Sequence, residues 1–233
     1  MNLTLQTIAS PIVSELLANT KIDGVVLDTE HGVFNNETLF TCIQTITSLK
    51  KKCFVRVTYL DKKLVRMCLD AGSDGMIFST IESEEQASNI LNYCHYPTYS
   101  GNRGYGLVRD NDWGNKPLTN RKPIIIAQIE TKDGVDNLDD IIKCGFDYYI
   151  IGPYDLSNSL GCPAEWDNEL YIKYINTIEN KIDVLNLGIF LVTETDIDNF
   201  IDMNTDSTDR PKIIVWGMDA VYIRESMKRL GFL

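Results

Sequence analysis

Residues 124–155 read IIIAQIETKDGVDNLDDIIKCGFDYYIIGPYD, and this stretch decides the fold. It contains a β-branched apolar run (IIIAQIE), a segment whose apolar residues recur at helical spacing (VDNLDDIIKCG), and a second apolar run (YYIIGPYD). Gly145 falls where that helix should stop. Runs that are apolar at successive positions, rather than at alternate ones, are strands covered on both faces, which means a parallel sheet. Working outward, LTLQTIAS, GVVLDTE, KCFVRVT and GMIFST precede this unit, and LGIFLVT and KIIVWGMD follow it. Helix-like segments lie between them: IVSELLA, LFTCIQTITSL, KLVRMCLDAG, SEEQASNILNYC, ELYIKYINTIENKIDVLN, ETDIDNFIDM and AVYIRESMKRLG. Gly72 and Gly188 are read as further helix stops, Asp61 and Ser83 as helix starts. Eight such repeats predict a closed (β/α)8 barrel, with an open doubly wound sheet as the alternative. No Pro, Gly or Ser linker divides residues 1–233, so one domain is expected, and a barrel of this kind takes about 250 residues.

Composition narrows the function. The 33 acidic residues outnumber the 22 Lys and Arg, there are 2 His, and the formal net charge is -11. Without a Lys/Arg-rich stripe, nucleic-acid binding is not expected, because such proteins draw most of their affinity from cations on phosphates. This does not prevent local binding of a small anion. The apolar runs are too short to span a bilayer, so no membrane passage is expected. The N-terminus MNLTLQTIAS lacks a basic start followed by an apolar signal core, and the six cysteines contain no C-x-x-C pair. A cytoplasmic location with cysteines acting as small buried hydrophobes is the expectation.

In parallel α/β folds, chemistry sits at the carboxyl ends of the strands, so polar residues that end apolar runs are the informative ones. Asp28, Thr29, Glu30 and His31 end the second run, Arg56 the third, Gln128 and Glu130 the fifth, Asp155 the sixth and Asp219 the eighth. Glu130 and Asp155 are placed to share one cation through oxygen ligands, which suits Mg²⁺ or Mn²⁺ better than zinc; taken singly, each reads better as a solvated strand cap, and only the pair, on adjacent strands beside Gln128, favours the metal. His31 follows Asp28 by about one turn, and a carboxylate near an imidazole orients it as a general base. His95, in YCHYP at a helix end, reads as partly exposed and structural. Arg56 interrupts FVRV and needs an anion: an ion pair with Asp28 or Glu30, a developing oxyanion on a substrate, or both. Gly152-Pro153-Tyr154-Asp155 reads as a tight turn into a helix start whose free N–H groups could hold a carboxylate or phosphate. The one long stretch without a pattern, Tyr96 to Lys122, is expected to be a lid or binding loop. No Walker A, H-E-x-x-H or G-x-S-x-G pattern is present, and Gly101-Asn102-Arg103-Gly104 does not make a dinucleotide fingerprint.

The stretches DGVVLDTEHGVFN, FVRV, LDAGSDGMI with EEQA, YP followed by RGYG, AQIET with GVDNLDDI, and GFDYYIIGPYDLSNSLG resemble the HpcH/HpaI family of metal-dependent class II aldolases nearly end to end. The resemblance implies a (β/α)8 barrel of the phosphoenolpyruvate/pyruvate-binding type. It implies reversible cleavage of a 4-hydroxy-2-oxo acid into pyruvate, or a close 2-oxo acid, and an aldehyde. By motif, Glu130 and Asp155 would be ligands of Mg²⁺ or Mn²⁺, with Co²⁺ a further candidate. His31 would be the base, Asp28 its support, and Arg56 the group that stabilises the enolate oxygen. Gln128, Gly152 and the backbone around Tyr154 would bind substrate, and Asp70 of LDAG would tune the histidine, within the chain or from a neighbouring subunit. A homo-oligomer, a hexamer in relatives, is implied as well. Two departures stand out: Ser79 replaces the Pro that many relatives carry after strand four, and Leu233 follows the eighth helix closely, which puts helix exchange between subunits in question. The alternatives are a CoA-thioester lyase, disfavoured because no basic docking patch for a nucleotide is evident, and a non-catalytic oxo-acid binder. The aldehyde is expected to touch variable loops, Tyr96 to Lys122 among them.

Overall fold

The eight apolar runs are strands in the computed structural model, which describes residues 1–59, 61–117, 121–203 and 211–233. They are β1 (Asn2–Gln6), β2 (Gly24–Asp28), β3 (Lys52–Thr58), β4 (Gly75–Ser79), β5 (Ile124–Ile129), β6 (Tyr148–Ile151), β7 (Leu187–Leu191) and β8 (Ile213–Met218). All pair in parallel with their sequence neighbours, and β8 pairs with β1, so the sheet closes into a barrel. The open-sheet alternative is thereby excluded. The outer layer comprises α1 (Pro11–Ala18), α2 (Asn36–Ser48), α3 (Lys62–Asp70), α4 (Glu84–Cys94), α5 (Lys132–Asp136), α6 (Leu138–Lys143), α7 (Pro153–Ser159), α8 (Glu169–Lys181), α9 (Glu194–Met203) and α10 (Asp219–Arg229). No helix among the described residues is long and apolar enough to cross a membrane.

The predicted punctuation largely holds. The Asp61 side chain accepts from the N–H groups of Lys63 and Leu64, and Ser83 from that of Gln86, so both cap helices as expected. Gly72 (φ 92°) and Gly145 (φ 84°) end α3 and α6 in the left-handed conformation. Gly188 does not stop a helix: it lies inside β7, where a Cβ would come 3.1 Å from Ile213 Cβ and 3.3 Å from Ile150 Cγ1. Crowding by the flanking strands, not a turn, favours a small residue there. Five of the cysteines are buried and Cys144 is half-buried, and all six are free. Burial pushes the Cys94 thiol up to about 12, as expected of an inert packing residue.

Side chains alternate between the two faces of each strand, and this period builds the site. Val26, Phe54, Ile77, Ile126 and Ile150 point into the barrel and join Leu3, Leu5, Phe190, Ile213 and Val215 in one apolar plug. Two residues further along β2 to β6, the inward positions are Asp28, Arg56, Ser79, Gln128 and Gly152, all buried. A polar layer therefore rests on a dry floor at the carboxyl ends of these strands.

The stretch from Tyr96 to Lys122 connects α4 to β5, so it lies at the amino ends of the strands, opposite the polar layer. The expectation that it lids the site or touches the aldehyde is thus overturned within one chain; its residues 118–120 lie outside the described residues. Buried Arg103 pins this connection, donating to Asp70 Oδ1 at 2.7 Å and stacking over the Tyr96 ring at 4.5 Å. His95, expected to be partly exposed, is only 6% exposed, and burial lowers its pKa. It packs where its carbonyl accepts from the Arg103 N–H.

Candidate active site

The register sets Asp28 directly beside Arg56 on neighbouring strands. The guanidinium uses this placement as a fork, donating from Nε to Asp28 Oδ1 at 2.9 Å and from Nη2 to Asp28 Oδ2 at 2.8 Å. Nη1 lies 3.2 Å from Glu30 Oε2. Burial works against the Arg56 charge, but the hydrogen bonds and charges of Asp28, with those of Glu30 and Glu130, outweigh it and raise the pKa. The buried ion pair expected from sequence is therefore present. It leaves N–H donors over, since a guanidinium carries five and three face Asp28 and Glu30.

Asp28 does not hold the His31 ring. Its carboxylate is committed to Arg56 and to the backbone N–H groups of Glu30 (3.1 Å) and His31 (3.4 Å). Its support for the histidine is thus through the turn that carries it. The His31 side chain is exposed at the mouth, and its ring makes no hydrogen bond among the described residues.

Glu130 follows β5 and is 2% exposed. Its Oε1 accepts from the Thr80 N–H at 2.7 Å and from the Thr80 hydroxyl at 3.1 Å, and its Oε2 accepts from Gln128 Nε2. Burial, then the charge of Glu30, then that of Asp155 drive the Glu130 pKa up to about 7, against the pull of Gln128 and Thr80. Thr80 holds this contact from a left-handed backbone (φ 58°), a costly conformation for a β-branched residue. Glu30 in turn accepts from Ser79 Oγ at 2.6 Å, while its Oε2 meets Arg56 as an ion pair without an aligned hydrogen bond. Gly152 is indispensable to the arrangement: a Cβ there would lie 2.6 Å from Glu130 Oε2 and 3.0 Å from Gln128 Nε2.

Asp155 does not end β6, which stops at Ile151; it is exposed in the first turn of α7, where its charge reaches Glu130. A proline at the start of α7 lifts it past the strand end. Tyr154 packs edge-to-face on Trp166 at 5.1 Å beside the mouth. Asp70 ends α3 at the opposite face of the barrel, bound to Arg103, so it does not reach His31 of its own chain. Asp219 serves closure of the barrel: buried, it accepts from the Thr7 N–H and hydroxyl and from the Ile8 N–H. Thr80 joins the site unassigned by sequence, whereas Glu30 is read there only as a strand-end partner for Arg56 and Ser79 only as a replacement for proline. Ser79 carried a usable signal, since it lies one inward step beyond Ile77.

The charges of Glu30 and Asp155 both bear on Glu130, Arg56 is the cation that meets Glu30 and Glu130, and the buried Gln128 Oε1 has no hydrogen-bond partner among the described residues. Repelling carboxylates beside an orphaned acceptor fit a hard divalent cation. Among the described residues no three or more His, Cys, Asp and Glu enclose such an ion, so the fit is to one that keeps water or substrate oxygens in most positions.

A family model described as HpcH/HpaI aldolase/citrate lyase matches residues 6–207. The chain is 30% identical over 176 residues to a 2-keto-3-deoxy-L-rhamnonate aldolase of Escherichia coli, covering 72% of this chain and 64% of that protein. It is 31% identical over 161 residues to a 4-hydroxy-2-oxo-heptane-1,7-dioate aldolase of Salmonella paratyphi A, covering 66% and 61%. The matched part thus spans under two thirds of either relative. Among solved structures, an HpcH/HpaI aldolase/citrate lyase family protein of Burkholderia cenocepacia superposes with TM-score 0.83 at 22% identity, covering 99% of this chain and 92% of that one. The citrate synthase SbnG superposes with TM-score 0.81 at 24% identity, covering 98% and 90%. At these identities the superpositions speak for the fold.

Proposed function

The chain belongs to the HpcH/HpaI aldolase/citrate lyase family, and on that premise we propose that it is a divalent-metal-dependent class II aldolase cleaving a 4-hydroxy-2-oxo acid reversibly into pyruvate, or a close 2-oxo acid, and an aldehyde. The observation that carries this reading is the buried wall in which Arg56, clamped by Asp28, lies within electrostatic reach of Glu130. Both curated relatives named above are oxo-acid aldolases by name.

Glu130 and Asp155 would hold Mg²⁺, Mn²⁺ or Co²⁺, which when bound supplies Lewis-acid stabilisation of negative charge on the oxo acid. In the cleavage direction His31 takes the proton of the 4-hydroxyl group. The oxygen's electron pair closes the aldehyde carbonyl, the C3–C4 bond breaks, and its pair forms the C2–C3 double bond of an enolate. Arg56 N–H groups not committed to Asp28 or Glu30 donate to the enolate oxygen, already aimed and desolvated before charge develops. The proton then returns to C3, giving the methyl group of pyruvate. Gln128, Gly152 and the backbone at Tyr154 border the space for the carboxylate end. The buried polar wall contains no lysine, which disfavours a Schiff-base route. Asp70 would tune His31 only across a subunit boundary.

Incubation with a 4-hydroxy-2-oxo acid and Mg²⁺ or Mn²⁺ should release pyruvate, with EDTA or Glu130→Ala abolishing the release. Release insensitive to both would overturn the mechanism, and tight pyruvate binding without turnover on any hydroxy-oxo acid would favour a non-catalytic binder. An aldehyde panel in the condensation direction identifies the second product.

A further inference from the structure

We propose that a cavity at the amino ends of β3 and β4, on the face opposite the active-site mouth, binds a phosphorylated small molecule of nucleotide size. Its volume is about 570 Å³, within the range of small-molecule sites. Six cations line it, Lys50, Lys51, Lys52, Arg109, Lys116 and Arg121, against three carboxylates, Asp74, Asp110 and Asp112. The carboxylates are already engaged: Asp74 by Lys52 (2.8 Å) and Arg121 (3.3 Å), Asp110 by Arg121 and Arg103, Asp112 by Lys116 (3.8 Å). The other three cations pair with no carboxylate among the described residues. Lys51 donates to the carbonyls of Thr20 and Ile22, Arg109 to the Ala71 carbonyl and the Thr47 hydroxyl, and Lys50 makes no ion pair among the described residues. A chain of net charge -11 thus concentrates an excess of three positive charges around one cavity.

The backbone gives an independent indication. Six described non-glycine residues have positive φ, and three of them line this cavity: Lys50 (62°), Asp112 (54°) and Trp113 (55°). Lys50 occupies the position after α2 where glycine is the natural choice: its N–H bonds to the Thr47 carbonyl and that of Lys51 to the Ile46 carbonyl, the paired closure of a Schellman motif. Placing a lysine there, and a 63% exposed tryptophan in a second strained turn on the same wall, sacrifices stability that a ligand site would explain. Lys50, Lys51 and Arg109 suit the oxygens of a diphosphate, and the Trp113 indole suits a flat ring stacked beside them.

The test is calorimetric titration of the full chain with ADP and with pyrophosphate, at low ionic strength and with EDTA present so that no cation links the probe to the mouth. ADP should bind saturably and quench tryptophan fluorescence. Lys50→Gly, which relieves the left-handed strain, should raise the thermal midpoint yet weaken ADP binding about tenfold or more. Trp113→Ala should weaken ADP but not pyrophosphate. Absence of saturable ADP binding, or an ADP affinity unchanged by Lys50→Gly, overturns the proposal; equal loss of ADP and pyrophosphate in Trp113→Ala overturns the ring contact.

Discussion

Glu130 makes stability depend on pH in an unusual direction. Folded Glu130 keeps its proton to about pH 7, whereas the unfolded residue releases it near 4.5. Between these values the native state binds more protons than the unfolded one, so stability falls as pH rises. The contribution is fully present below about 4.5 and is lost as pH rises through about 7. A shift from 4.5 to about 7, at roughly 1.4 kcal/mol per unit, amounts to about 3 kcal/mol, and with Glu130 2% exposed no large screening discount applies. The assay is urea unfolding followed by circular dichroism at steps from pH 4.5 to 7.5 in EDTA, for the wild type and Glu130→Gln, which cannot titrate. Subtracting the two curves removes shared contributions such as that of His95, whose lowered pKa acts in the opposite sense. The wild type should lose about 3 kcal/mol relative to the variant across the window. Saturating Mn²⁺ should flatten the decline, since cations bind the carboxylate form alone. Parallel curves for the two proteins in EDTA would refute the assignment of a repelled, buried carboxyl group.

His31→Ala should lower turnover by about 10²- to 10⁴-fold with an unchanged unfolding midpoint, because the exposed ring bonds to nothing in the described fold; near-wild-type turnover would remove it from the mechanism. Gly152→Ala drives a methyl group to 2.6 Å from Glu130 Oε2, so it should cost about 1–3 kcal/mol of stability and most of the activity, measured by urea titration and pyruvate release. Ser79→Ala deletes the 2.6 Å donor to Glu30 and should destabilise by about 1.5–3 kcal/mol; an unaltered midpoint would show that this carboxylate has no need of it.

The barrel was legible because each strand is apolar on both faces, a pattern that survives without tertiary information. The polar layer was legible for the same reason: Asp28, Arg56 and Gln128 each lie two residues beyond an inward apolar side chain, at Val26, Phe54 and Ile126. What failed depended on geometry that periodicity does not encode. Asp155 sits a proline past its strand, and Gly188 is crowded by Ile150 and Ile213 on the two strands that flank it, not placed by a turn of its own. The Asp28–Arg56 fork depends on register between strands, and Thr80's role on one left-handed residue that no residue type announces. The basic cavity was invisible, and the absence of a nucleotide-docking patch was inferred, because Lys50 to Lys52, Arg109 and Arg121 come from separate stretches gathered only by folding. That patch lies at the far end from the polar layer, so it gives no support to a CoA thioester reaching the mouth of the same chain.

The apolar plug has an electrical consequence. It holds four carboxyl groups beside one guanidinium on one side and six cations with three carboxylates on the other, so the two ends of the barrel differ in the sign of their local charge. On β3 these ends are marked by Lys52 and Arg56, four residues and about 13 Å apart along the strand, against a screening length of about 8 Å in physiological salt. Each end therefore draws its own kind of counterion, cations at one end and anions at the opposite end of a single short strand.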